Sequence, residues 1–141
     1  MEVLRVNESF ETRLEVLRKF GFTGKALMRA IWRIPKTDRY VWIATEGPYH
    51  GGENILTNLG RNFVDRRDRA ADGADTYGEH ADKDAERLLF VKTRVGRQNV
   101  IKFVGVFKPD LDHSKGNVSA WERMSDECLL PDGSWSPEAR D

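Results

Sequence analysis

Four arginines, Arg61, Arg66, Arg67 and Arg69, fall within a short segment, with Asp65 and Asp68 between them. Clustered guanidinium groups are a common device for holding phosphates. The same residues also read as a self-neutralising solvated surface, arginine against aspartate at close spacing. A second group is aromatic: Trp32, Trp42, Tyr49 and Trp121 sit at or beside the ends of strand-like runs. Flat rings at the mouth of a small barrel can stack on an unpaired or flipped base. The plainer use of a tryptophan is to fill a core. Asn54 and Asn58 lie between these aromatics and the arginines, and a side-chain amide can read the edge of a base.

Other chemistries find less support. His50, His80, His113 and Cys128 are scattered, with no CxxC, no HxxxH and no pairing at zinc spacing. Asp110-Leu111-Asp112-His113 and His80-Ala81-Asp82 read as solvated turns, so neither a metal nor another cofactor is expected. There is no GxSxG elbow, and Cys128 follows Asp126 and Glu127, whose charges disfavour a thiolate. Gly51-Gly52 is not followed by the GK[ST] of a phosphate-cradling loop. Glu86 and Lys92 flank their strand at the wrong spacing for the acid and Glu-x-Lys of a restriction-type nuclease. Three readings stand. The leading one is a non-catalytic module for a nucleic acid or nucleotide; the others are a small enzyme using loop carboxylates and a protein-interaction module using the 65–85 loop.

The scaffold beneath these residues centres on Arg87 to Lys108, two β-runs joined at Gly96-Arg97-Gln98-Asn99. Pairing Val95 with Val100 sets Val91 opposite Val104 and Leu89 opposite Val106 on one face. Leu88, Phe90, Ile101, Phe103 and Phe107 then share the other, and Gly105 lies across from Phe90. Both faces are apolar, so both should be covered. Upstream, Phe10, Leu14, Leu17 and Phe20 recur at helical spacing, which predicts a helix within 1–20, capped by Asn7 or Ser9 and ended by Gly21. Residues 25–34 alternate with a period of two, and 40–45 form a second strand after a turn at 35–38. Ile55 to Leu59 suits a strand or a short helix, and Val118 to Met124 a further strand. The stretch 65–84 is nearly free of large apolar residues and reads as a long loop.

Taken in order, TGKALMRAIWRIP, YVWIATEG, an asparagine-containing segment, VIKFVGVFKPD and a strand ending WERMSDE resemble the small PUA-like β-barrel domains. Such domains serve as accessory readers in restriction-type and other nucleic-acid-acting proteins. The resemblance implies a modified or flipped base in an aromatic pocket, with Trp32 or Trp42 as walls and Asn54 or Asn58 as edge reader. The expected fold is α+β: a curved, mostly antiparallel sheet or small barrel with the N-terminal helix packed on it.

Charge and length bound these readings. The 23 basic and 23 acidic residues cancel, so affinity for nucleic acid would have to come from a local patch. A chain of 141 residues is expected to form one domain over 1–130 with a loose tail at 131–141. No apolar run approaches the roughly 18 residues of a membrane span, and the first residues lack a signal-peptide core. With a single cysteine, these features lead to the expectation of a soluble cytoplasmic protein.

Overall fold

The computed structural model describes residues 2–23, 30–34, 37–68 and 86–130. The strands at its centre are β8 (Glu86–Val95) and β9 (Gln98–Pro109), an antiparallel pair. Around them runs a nine-stranded sheet. On one side of β8 lie β4 (Arg39–Thr45) and β3 (Ile31–Arg33). Beyond β9 come β10 (Val118–Ser125), β7 (Asn62–Arg67), β6 (Gly52–Thr57) and β5 (Gly47–Tyr49), in that order. β2 (Ser9–Phe10) adds to β9, while β1 (Val3–Arg5) and β11 (Glu127–Leu129) form a separate two-stranded sheet. Among the described strands only β4 and β8 pair in parallel.

The expected curvature is present, but the barrel is not closed. Only Glu46 separates β4 from β5 in the chain, yet the two lie towards opposite ends of the hydrogen-bonded path. The sheet must therefore curl until its ends approach. No ladder joins those ends among the described strands; the gap is spanned by a side chain, Asn54 Nδ2 donating to the Thr45 carbonyl at 2.9 Å. The result is an open mixed sheet with a seam.

The central hairpin differs from its expected register, and the reason is local. The turn is tighter, so Val95 faces Gln98 and Thr93 faces Val100. A bulge then shifts the pairing between Leu89 and Phe90, setting Gly105 opposite Leu89 rather than Phe90. Because side chains alternate, a one-residue shift exchanges faces for everything beyond it. Val106 thus joins Leu88, Phe90, Ile101 and Phe103 in one core, while Phe107 joins Leu89, Val91 and Val104 in the other.

The first core is closed by the helix α1 (Arg13–Lys19) and by Leu4, Cys128 and Leu130. Phe90 is its pin, with ring centroids 5.9 Å from Phe10, 6.0 Å from Phe20 and 5.1 Å from Phe103. The helix is shorter than expected. Thr12 caps it, its side chain accepting from Glu15 N at 3.1 Å, and Gly21 follows its end with a φ of +83°. Asn7 is not a cap: it turns the chain with a φ of +78° between β1 and β2, whose strand partners take those residues out of the helix.

The second core fills the hollow of the curl with Trp42, Phe63, Leu89, Phe107 and Trp121. The segment holding Arg66 and Arg67 is not a loop, as its charge suggested. It is strand β7, paired on both sides. Arg69, most of the 65–84 loop, the N-terminal part of the 25–34 run, Pro35-Lys36 and the 131–141 tail lie outside the described residues.

Candidate functional site

The seam carries a cleft of about 280 Å³ whose walls come from both ends of the sheet. Trp42 and Thr45 of β4 stand on one side; Tyr49, Asn54, Asp65 and Arg67 of β5, β6 and β7 stand on the other. The register explains the polar side. Asn54 and Asp65 are directly opposed across β6 and β7, so their side chains share a face, and Arg67 lies on the same face two residues on. The inward parity starts at Phe63, a core residue.

Both opposed groups are withdrawn from water, Asn54 at 8% exposure and Asp65 at 6%. Tyr49 is 36% exposed and donates its hydroxyl to Asp65 Oδ1 at 2.8 Å. Its ring lies over bare backbone. A Cβ placed on Gly52 would collide with the Arg66 carbonyl oxygen of β7 and come within 2.6 Å of the Tyr49 hydroxyl oxygen and 2.8 Å of its Cζ. Only glycine lets the ring settle there.

Asn54 is the distinctive group. Its Nδ2 must face Thr45, because only the NH₂ can donate to a carbonyl; a flipped amide would set oxygen against oxygen. That leaves Oδ1 buried, with no hydrogen-bond partner among the described residues. Leaving such an acceptor unmet costs about 1–3 kcal/mol, so its placement at the wall of a cleft calls for an explanation. Chemically the cleft offers the Tyr49 ring, the Asn54 and Asp65 oxygens side by side and two guanidinium groups, those of Arg13 and Arg67. It suits a flat polar ligand with a hydrogen-bond donor on its edge.

Of the residues singled out from sequence, the seam brings together Trp42, Tyr49, Asn54 and Arg67. Trp42 is nearly buried and forms a wall rather than an open platform. Its ring meets Phe63 at 5.0 Å and Trp121 at 5.4 Å, and the Arg87 guanidinium lies 4.6 Å from Trp42 and 4.3 Å from Trp121. Trp121 is sealed inside the curl, its Nε1 donating to Ser119 Oγ at 2.7 Å. Trp32 is in the other core, 1% exposed, away from the seam. Arg66 points to the outer face, where Asp68 pairs with it at 2.9 Å and Glu53 lies at 3.8 Å. Asn58 and Arg61 sit at the far end of the β6–β7 hairpin, Asn58 donating to Asn62 Oδ1 at 3.0 Å. Asp65 and Gly52 were not singled out. Their signal was parity: Asp65 follows Phe63 by two residues, but the run of charges around it hid the alternation.

No protein-family model and no curated protein matches the chain. Among solved structures, the 5-hydroxymethylcytosine-specific restriction enzyme AbaSI is similar to it, with a TM-score of 0.73 at 16% sequence identity. The similarity covers 92% of this chain and 44% of that one, so this chain spans less than half of that structure's length. The likeness shows a shared fold, and the curled sheet agrees in broad outline with a PUA-like architecture. Among the described residues no helix is long and apolar enough to cross a membrane.

Proposed function

We propose that the chain is a recognition module for nucleic acid, and that the seam cleft receives a single base turned out of its stack. The observation that carries this reading is Asn54 Oδ1, a buried acceptor left open beside the Asp65 carboxylate. Two neighbouring acceptors favour a base with an exocyclic amino group, cytosine, adenine or guanine, over thymine or uracil. Tyr49 supplies the stacking surface, a contribution of about 1–3 kcal/mol per base in aromatic sites. Arg67 adds positive charge where the backbone would approach. The cleft volume of about 280 Å³ lies just below the roughly 300 Å³ at which drug-sized ligand sites begin. Because the structural neighbour is described as specific for 5-hydroxymethylcytosine, modified cytosine is the first ligand to test.

The test is fluorescence anisotropy with short single- and double-stranded oligonucleotides carrying cytosine, 5-hydroxymethylcytosine, adenine or thymine at one position. Binding should weaken with added salt and favour the amino-bearing bases. Tyr49→Ala should weaken it by about fivefold or more, which corresponds to the stacking contribution. Absent or salt-insensitive binding across the whole set would overturn the reading.

A further inference from the structure

The curl has a second opening, at the end where β8 runs out and the β6–β7 hairpin turns. A cleft of about 300 Å³ lies there, with Leu56 and Val104 on its apolar side and Glu46, Lys102 and Arg123 around it. Arg123 is held in place by the fold. A bulge in the β9–β10 pairing falls between Arg123 and Ser125, and the Arg123 stem lies flat on β9 at Gly105. A Cβ on Gly105 would stand 2.4 Å from Arg123 Cδ and 2.8 Å from its Cγ, and the φ of +138° there also suits glycine. The guanidinium so placed makes one hydrogen bond, Nη1 to the Val104 carbonyl at 3.3 Å. Four of its five N–H donors remain unspent on described residues.

None of Arg123, Lys102 and Glu46 forms an ion pair among the described residues, with one another or elsewhere. The cleft thus carries one net positive charge over an apolar floor. At its rim Leu59 is 94% exposed, in a left-handed turn with φ of +53° at Asn58, +55° at Leu59 and +84° at Gly60. Holding a bulky apolar residue in that conformation costs about 1–3 kcal/mol and covers no core.

We propose that this second cleft binds a phosphate carried on a flat, partly apolar body: the phosphate of a nucleotide, either free or within a strand. Arg123 and Lys102 hold the anion, Leu56, Leu59 and Val104 contact the body, and Glu46 accepts from a hydroxyl or amino group. The site is independent of the seam cleft and stands or falls separately.

The experiment follows backbone amide resonances of the ¹⁵N-labelled chain during titration with inorganic phosphate, deoxycytidine monophosphate and a short single-stranded oligonucleotide. It uses the native protein and three variants: Arg123→Gln, Lys102→Gln and Asn54→Leu. The expected result is shifts at Thr93, Lys102 and Val104 with either nucleotide ligand, tighter than with inorganic phosphate. With deoxycytidine monophosphate, Asn54→Leu should leave the shifts at these three amides unchanged, and each cation variant should weaken them by about fivefold or more. Response to the oligonucleotide alone would identify a strand as the source; response to the mononucleotide as well would identify the free ligand. No shifts at these amides, equal response to inorganic phosphate, or shifts untouched by both cation variants would overturn the proposal. Arg123→Gln keeps the stem that packs on Gly105, and Lys102 is exposed, so at least one variant retains the fold.

Discussion

Asn54→Leu removes both polar atoms from the seam while keeping a side chain of similar bulk. The first cost is the 2.9 Å bond from Nδ2 to the Thr45 carbonyl. Thr45 is exposed, so water can take over as donor, and the net loss is about 0.5–1.5 kcal/mol. Against this stands the relief of Oδ1, a buried acceptor with no partner among the described residues, whose desolvation costs about 1–3 kcal/mol. The balance runs from about 0.5 kcal/mol of destabilisation to about 2.5 kcal/mol of stabilisation. Urea unfolding followed by tryptophan fluorescence measures it, since Trp42 and Trp121 are buried against one another and report directly on the curl. In the same protein, base binding should fall by about tenfold, the equivalent of one lost hydrogen bond near 1.4 kcal/mol. A midpoint shift equivalent to more than about 2 kcal/mol of lost stability would show that the amide is a structural strut. Unchanged oligonucleotide affinity would refute the assignment of Oδ1 to a ligand. A neutral or stabilised fold with lost affinity is the expected pair of outcomes, the pattern of a group kept for binding at the expense of stability.

Two further outcomes follow from the same geometry. Gly105→Ala should destabilise the fold by about 2–3 kcal/mol in urea unfolding, because the new Cβ meets the Ser125 carbonyl at 2.8 Å as well as Arg123, at a φ of +138°; a loss below about 1 kcal/mol would contradict that packing. Burial pushes the Cys128 thiol up from its ordinary pKa, a shift that nearby Arg39 partly opposes, so the reactive thiolate is scarce at pH 8. Its reaction with a disulfide reagent should be at least about tenfold slower in the native protein than in urea, and equal rates would show that the β1–β11 side opens freely.

Much of the scaffold is legible in the chain itself. Period-two alternation marks β4, β8, β9 and β10, and it sorts Leu88 and Phe90 from Leu89 and Val91 without error, because alternation is a property of the strand alone. Of the stripe Phe10, Leu14, Leu17 and Phe20, Leu14 and Leu17 meet the first core from the helix as their spacing requires, while Phe10 reaches it from β2 and Phe20 from the helix C-cap. The bulge before Gly105 could not be read, since nothing local says where a ladder gains a residue; it lies where Gly105 packs against Arg123 and Ser125 of the neighbouring strand. The N-terminal strands were hidden for the same reason, as β1 exists through β11, more than a hundred residues away.

The cleft divides along this line. Tyr49, Asn54 and Trp42 were readable as chemical types, and so was their closeness in sequence to the arginines. That Asp65 turns inward while Arg66 pairs on the outside was decided by the β6–β7 register, a matter of pairing between strands. That Asn54 reaches Thr45, nine residues back, depends on the sheet curling until its ends meet. Residue types and their alternation are written one position at a time. A pocket at a seam comes from long-range pairing and twist, which only the folded chain can add together.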